Sequence, residues 1–355
     1  MGKSCILPCT FVATFAQYVV KRMAWMKSNA FTWLMIVACL TLPPAWGAAG
    51  QDVSAESQPT DEPTSAPITM PTTAPAASED DAVSLRLLLP LLAVGTVLLI
   101  GWCVRRVQSP GPLYLADAPP RPNRLSSWHV LGVFIAFVLL QPILGLTMQL
   151  TGLPVRDNVT MQTLAAMLSQ VGWLAAALFV AGRTFPFGLR GLGLDARHWP
   201  ADAGRAVFTL LAVLPVVIVT LIASTLLVQW AVQQGLLKEE DVRLNVMLER
   251  LRTVNALGKT MIVISAVVLA PLAEEIFFRG LLQSMLRNVM KPWPAILVAS
   301  GLFALVHFSA IRDVIPLLPL SVVLGYTYER TGRLITPILI HALFNAVMLA
   351  TFLAG

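Results

Sequence analysis

The feature that most constrains this chain is a series of long apolar runs that follow one another from residue 87 to residue 353. A helix needs about 20 apolar residues to cross the roughly 30 Å hydrocarbon core of a bilayer. The runs lie at residues 87–104, 128–150, 160–182, 206–231, 260–283, 294–309, 314–328 and 334–353. The sixth and seventh are short, so we expect them to be tilted, re-entrant or packed against each other. The sequence predicts an all-α polytopic transmembrane bundle of about eight helices.

Composition agrees with a bilayer as the solvent. Of the 355 residues, 56% are hydrophobic and 12% are charged, whereas soluble domains have about 25% charged residues. The four cysteines are too scattered for a disulfide framework. Most basic residues lie in short loops between apolar runs, so the net charge of +6 predicts membrane topology and no nucleic-acid partner.

Residues 1–49 have the features of an export or anchoring signal. From Met26 onwards, Lys27 precedes an apolar run at 31–42, which prolines and small residues follow. This order predicts a signal peptide or a signal anchor, and residues 1–25 would then lie upstream of the true start. A lipidation box ending at Cys39 is a third interpretation.

Residues 50–83 are predicted to form a disordered tail. Pro, Thr, Ser and Ala dominate residues 51–82, which hold seven acidic residues and no Lys or Arg. Such a segment cannot bury enough apolar surface to offset its chain entropy.

The positive-inside rule gives an orientation. If the tail is outside, the loops on the cytoplasmic side hold twelve Lys and Arg residues and the opposite side holds eight. These loops are 105–127, 183–205, 284–293 and 329–333. The bias is modest because the connector 232–259 is itself basic, and this connector is either an amphipathic interfacial helix or a solvated loop.

Polar residues inside three apolar runs are the candidate functional residues. Glu274, Glu275 and Arg279 lie in the run 260–283, where an ionised side chain costs roughly 2.5–3.5 kcal/mol on insertion scales. Glu275 and Arg279 are four residues apart with the acid first, so they can pair, while Glu274 points about 100° away. The spacing predicts a neutralised Glu275 and a free Glu274.

Two further motifs add histidines. Phe303 and His307 are one helical turn apart, as are His341 and Asn345 in the last run. At 1.5 Å per residue, Glu274 and His307 lie about 20 Å from the cytoplasmic ends of their helices and His341 about 10 Å. Long side chains can span this difference, so one cavity open to the cytoplasm can hold all of these residues.

Two chemistries suit this set. A desolvated Glu274 can take a proton from water while His or Asn donates hydrogen bonds to an oxyanion. Alternatively, Glu274, His307 and His341 can be three ligands of a catalytic zinc with an open position for water, although the HExxH spacing is absent. Taken singly, each histidine or the Glu275–Arg279 pair can also be structural, and only their joint occurrence points to a site.

In order, spacing and apolar setting, the three motifs resemble those of the type II CAAX prenyl protease and bacteriocin-processing family of membrane proteins (CPBP, also called Abi), which includes the lysostaphin-resistance-like proteins. The resemblance covers roughly residues 205–353. It implies a catalytic domain at 205–355, preceded by N-terminal transmembrane helices at 84–204.

The resemblance also implies roles for the motif residues. Glu274 would be the base that activates water, His307 a catalytic or oxyanion-stabilising partner, and His341 with Asn345 the remaining oxyanion or positioning groups. Glu275, Arg279 and Phe303 would support them. Both metallo and metal-free mechanisms are proposed for the family; the metal-free one is favoured here because Asn is a poor zinc ligand and a good oxyanion donor.

The sequence thus predicts a multi-pass peptidase of the cell membrane, typical of a bacterial inner membrane. Its partners would be the bilayer and a membrane-associated protein or peptide substrate, which the resemblance allows to be lipidated. Two other classes stay open. They are a non-catalytic membrane protein that binds peptides or confers immunity, and a transporter whose buried Glu and His relay protons.

Overall fold

The computed structural model describes residues 79–108, 115, 118, 121–155, 158–237, 251, 254–307 and 311–354. The predicted export signal at 1–49 and most of the tail at 50–83 lie outside the described residues. So does the middle of the connector 232–259.

The described residues confirm the all-α prediction, since they form no strand. Besides two short 3₁₀ helices, Gly188–Arg190 and Ala196–His198, they form eight longer helical segments. We number these segments in chain order. They are α1 (Glu79–Gln108), α2 (Ser127–Leu150), α3 (Val159–Thr184), α4 (Trp199–Gln233), α5 (Ala256–Arg287), α6 (Pro292–Leu305), α7 (Ile311–Thr331) and α8 (Ile335–Ala354).

Six of the described helices, α1 to α5 and α8, contain stretches long and apolar enough to span a membrane. These helices and their succession indicate a multi-pass membrane protein. The two short runs of the sequence form α6, which is too short to span, and α7. These two helices pack against each other, which is one of the three arrangements expected for the short runs.

Helix α1 begins at Glu79, inside the segment predicted as disordered tail. Three consecutive acidic residues, Glu79, Asp80 and Asp81, form its first turn. Negative charge is favourable at a helix N-terminus because it opposes the positive end of the helix dipole. Helix α1 therefore includes residues 79–83, the last five of the segment predicted as tail.

Helix α5 is the centre of the bundle. It packs against α2, α3, α6, α7 and α8, and it has the largest buried share among the candidate spans. Aromatic rings fill the space around it: Phe277 lies 5.5 Å from Trp173 of α3 and 6.3 Å from Phe134 of α2, measured between ring centroids. The helix that carries both glutamates is thus enclosed by its neighbours.

The loop between α3 and α4 docks on the turn between α7 and α8. The N–H of Leu334 donates to the carbonyl of Gly193 at 3.1 Å, and the Tyr328 hydroxyl donates to the carbonyl of Leu192 at 3.1 Å. Gly193 has φ +93°, and a Cβ there would lie 2.4 Å from the Gly332 carbonyl. A glycine is therefore required at this contact.

Buried carboxylates anchor the basic loops at this end of the bundle. Asp202 of α4 accepts hydrogen bonds from Arg333 at 2.5–2.9 Å and from Thr336 at 2.9 Å. Glu329 of α7 pairs with Arg121 and, at 2.6 Å, with Arg287. Both carboxylates are almost fully buried. Residues that the sequence placed in loops by charge alone therefore hold the helix ends together.

Removing the charge of Asp202 should destabilise the fold. In Asp202→Asn the guanidinium of Arg333 keeps its position but loses its anion, and breaking a buried pair costs about 3–5 kcal/mol; since Arg333 is partly exposed, we expect the lower end. The measurement is the thermal unfolding midpoint of the purified protein in detergent.

The matched control is Arg197→Gln. The Arg197 side chain is 70% exposed and lies 3.8 Å from Asp195, and exposed pairs contribute about 0–1 kcal/mol. Equal midpoints for wild type and Asp202→Asn would contradict this account of how the helix ends are held.

Candidate active site

The two glutamates lie on a short α-helical turn between two π-helical segments of α5. The turn is Ala270–Glu275, and the π segments are Ser265–Leu269 and Ile276–Gln283. A π segment widens the helix and changes the direction of the side chains that follow it, and such segments are frequent at functional sites. The direction of Glu274 thus depends on irregular backbone that sequence periodicity does not reveal.

Glu275 and Arg279 form the ion pair that their spacing predicts. Arg279 Nη1 donates to Glu275 Oε1 at 2.7 Å, and both side chains are at most 1% exposed. The other end of the guanidinium, Nη2, donates to the hydroxyl of Ser321 on α7 at 2.7 Å and to its carbonyl at 3.3 Å. The pair therefore ties α5 to α7.

His341 joins this pair and reaches Glu274. Its Nδ1 lies 2.9 Å from Glu275 Oε1, and its Nε2 lies 3.9 Å from Glu274 Oε2. Since the paired carboxylate of Glu275 can only accept, Nδ1 of His341 carries the hydrogen. The ring orientation of His341 is thereby fixed, with Nε2 directed to Glu274.

His307 approaches Glu274 from another helix end. It lies in the turn after α6, two residues beyond Leu305. Its Nδ1 is 2.8 Å from the carbonyl of Phe303, which also can only accept, and its Nε2 is 3.9 Å from Glu274 Oε2. Glu274 is therefore flanked by the Nε2 atoms of two histidines that are oriented through their Nδ1 atoms.

Exposure differs within the group. The His307 side chain is 34% exposed and that of Glu274 is 18% exposed, whereas that of His341 is 5% exposed. The face of the group that carries Glu274 and His307 is thus open to the surroundings, and His341 closes its inner side. A reacting group can reach the Glu274 carboxylate.

Phe303 packs against three members of the group, Arg279 and the two histidines. The guanidinium carbon of Arg279 lies 4.5 Å above its ring centroid, and the rings of His307 and His341 lie 4.8 Å and 5.6 Å from it. Phe303 itself is fully buried. A cation over an aromatic face is stabilised by the ring quadrupole, so Phe303 holds Arg279 in place while supporting both imidazoles.

Asn345 lies one turn beyond His341 on α8 and bonds to the backbone of α5. Its Nδ2 donates to the carbonyl of Ala266 at 2.8 Å. Ala266 belongs to the first π segment, eight residues before Glu274. This contact supports the positioning alternative for Asn345 more directly than the oxyanion alternative.

Glu274, His307 and His341 are the residue types of a zinc site, but their candidate ligand atoms lie farther apart than zinc ligands do. Ligand atoms of a tetrahedral zinc with bonds of about 2.0–2.1 Å lie about 3.3 Å apart, whereas each Nε2 is 3.9 Å from Glu274 Oε2. Among the described residues no group of three His, Cys, Asp or Glu has metal-binding spacing. Both imidazoles would have to move toward the carboxylate to hold a metal.

The sequence did not point to several residues that brace the site. Ser265 donates to Gln170 of α3 at 2.8 Å, and Gln283 donates to the Gly325 carbonyl at 3.0 Å and to Glu329 at 3.1 Å. Each is a polar residue in an apolar run, which is the only signal that the sequence carried. The other two histidines, His129 in the first turn of α2 and His198 directly before α4, are not part of the group.

Comparison with protein families gives a match over residues 256–347, to the family described as type II CAAX prenyl endopeptidase Rce1-like. No curated protein and no solved structure matches the chain significantly. The matched segment contains all the residues of the three motifs, from Glu274 to Asn345. Residues 256–347 therefore form a domain of the type II CAAX prenyl endopeptidase Rce1-like family, which is a family of peptidases.

Proposed function

We propose that this protein is an intramembrane endopeptidase that hydrolyses a peptide bond of a membrane-associated protein or peptide with water activated by Glu274. The observation that carries the proposal is the position of Glu274 Oε2, 3.9 Å from the Nε2 atoms of both His307 and His341. A water between these atoms would lie within hydrogen-bond reach of the base and of a histidine. The partial exposure of Glu274 leaves room for a scissile carbonyl.

The charges assign different tasks to the two histidines. Glu274, Glu275 and Arg279 together carry one net negative charge, which an imidazolium at His341 would neutralise. In that state His341 Nε2–H is a donor for the oxyanion, and His341 Nδ1–H stays on Glu275. A neutral His307, with its Nδ1–H on the Phe303 carbonyl, offers a lone pair that orients the water.

The reaction then follows in two steps. Glu274 takes a proton from water as the oxygen bonds to the carbonyl carbon, and the negative charge that develops on the carbonyl oxygen is met by His341. When the tetrahedral intermediate collapses, the C–N bond breaks and Glu274 returns the proton to the leaving nitrogen. The products are a carboxylic acid and an amine, which ionise to the carboxylate and the ammonium ion.

The orientation and substrate follow from the same proposal. The arginines near Asp202 and Glu329 lie at the end of the bundle that the positive-inside rule places in the cytoplasm. We propose that the site opens to this side of the cell membrane, with the bacterial inner membrane as the setting. A lipidated peptide would reach Glu274 from the bilayer.

Replacing the base should abolish cleavage without unfolding the protein. In Glu274→Gln the side chain keeps its size but cannot take a proton, and loss of a general base lowers the rate about 10²–10⁴-fold. The measurement is hydrolysis of a quenched fluorescent prenylated peptide by the purified protein in detergent, together with its thermal unfolding midpoint.

Asp195→Asn is the matched control, because it removes a carboxylate from the loop before α4, where the Arg197 N–H lowers the pKa of Asp195. This variant should cleave like the wild type. A Glu274→Gln protein that still cleaves would contradict the base assignment. If the wild type cleaves no peptide but conducts ions, and Glu274→Gln loses this ion flux, a transporter would be favoured.

A strong chelator should leave the rate unchanged if Glu274 acts without a metal. The wider spacing of the donor atoms is the physical reason for this expectation. The measurement is the cleavage rate before and after chelation, and again after zinc is added back. Loss of activity that zinc restores would show that Glu274, His307 and His341 close around a metal, which would then supply an activated water.

The buried ion pair should matter for stability and for activity in separable ways. Arg279→Met removes the guanidinium that neutralises the buried carboxylate of Glu275, and breaking this buried pair should cost about 3–5 kcal/mol of stability. Adding Glu275→Gln removes this charge, so the double variant should regain much of its unfolding midpoint. It should nevertheless stay impaired in cleavage, because His341 no longer faces a carboxylate. Full activity of the double variant would contradict the role of Glu275 in holding His341.

A further inference from the structure

We propose that Asn345 is a positioning residue which makes the backbone hydrogen bond that Pro271 cannot make, and so fixes the segment of α5 that leads into Glu274. This inference rests on the proposed function, since it concerns how the base is placed. It assigns Pro271 and Asn345 to one structural unit, although they lie on different helices.

The backbone of α5 leaves one carbonyl without a helical donor. In the first π segment the N–H of Ala270 donates to the carbonyl of Ser265, five residues earlier. In an α-helix this N–H would serve Ala266, four residues earlier. The next candidate donor for the Ala266 carbonyl is residue 271, five positions later, but residue 271 is proline and has no N–H.

Asn345 of α8 supplies the missing donor. Its Nδ2 donates to the Ala266 carbonyl at 2.8 Å, which is an ordinary distance for such a bond. Inside a bilayer, backbone groups must find partners within the protein because water is absent. The side chain of Asn345 thus replaces the missing backbone donor.

The position of this bond explains why it matters for Glu274. The residues of the turn Ala270–Glu275 follow directly after the π segment Ser265–Leu269. Changing the helical register by one residue would rotate every later side chain of α5 by about 100°. A bond that holds the π segment therefore sets which neighbours Glu274 faces.

A second interhelical bond, from a different helix, braces the same segment. The hydroxyl of Ser265 donates to Gln170 Oε1 on α3 at 2.8 Å, and both residues are buried. The segment is thus held between α3 and α8. Asn345 follows His341 by one turn of α8. The same helix therefore positions the second histidine and holds the backbone segment of α5 that precedes Glu274.

The test is a double-mutant cycle with Asn345→Leu and Pro271→Ala. Leucine is branched at Cγ like asparagine and has no donor, whereas alanine at 271 supplies an N–H that can bond to Ala266. We expect Asn345→Leu to lower kcat about tenfold with little change in KM, because a hydrogen bond but no substrate contact is lost. Adding Pro271→Ala should recover most of kcat and most of the unfolding midpoint.

The control is His341→Asn, alone and with Pro271→Ala. Its loss of activity should persist in both proteins, because a new backbone donor cannot replace an imidazole. If Pro271→Ala leaves the kcat of Asn345→Leu unrescued, the inference is overturned and Asn345 acts on the reaction directly.

The unfolding midpoints separate this inference from the proposed function. If the wild type cleaves no peptide, the proposed function fails, and the stability cycle alone decides the role of Asn345. Recovery of the midpoint in the double variant then supports the backbone bond, and additive losses of Asn345→Leu and Pro271→Ala overturn it.

Discussion

The contact between Glu275, Arg279 and His341 is the interaction on which the rest of the site depends. Two adjacent acids inside an apolar helix are unfavourable unless at least one is neutralised. Arg279 neutralises Glu275 at 2.7 Å and is itself held by Ser321 and Phe303. Because Glu275 is paired, its remaining accepting capacity fixes His341, and Glu274 is left with a free carboxylate beside two oriented imidazoles.

The surrounding bundle keeps this arrangement rigid. Helix α5 is enclosed by five other helices, and the ion pairs of Asp202 and Glu329 close its loop end. The hydrogen bonds that Arg333 donates to Asp202 raise the pKa of the Arg333 guanidinium, so this anchor stays charged over the physiological range. The fold thus separates two uses of buried charge, one that fastens helix ends and one that orients His341 beside Glu274.

Much of this could be predicted from the sequence. Apolar runs identified the eight long helices of the described residues, and six of these helices are long and apolar enough to span a membrane. The spacing of Glu275 and Arg279 predicted their pair, because side chains four residues apart meet here although Arg279 lies in the second π segment. The grouping of Glu274 with His307 and His341 followed from their depth and from the family resemblance.

Other features could not be predicted because they depend on irregular backbone or on distant partners. The π segments leave no periodic trace in an apolar helix, so the partner of Asn345 was not foreseen. Arg121 and Arg333 counted only as loop charge until the structure paired them with buried acids. The start of α1 at Glu79 has no distinct signal in the sequence, because an acidic helix N-terminus resembles an acidic tail.

The central claim is that Glu274 activates a water molecule that attacks the peptide bond directly. Single-turnover cleavage in ¹⁸O-labelled water, followed by mass spectrometry of the product and of the peptide containing Glu274, tests it most directly. Direct attack predicts one ¹⁸O in the new carboxylate of the first product and none in Glu274. An unlabelled first product with ¹⁸O in Glu274 would show that the glutamate attacks the substrate itself, which would contradict the account.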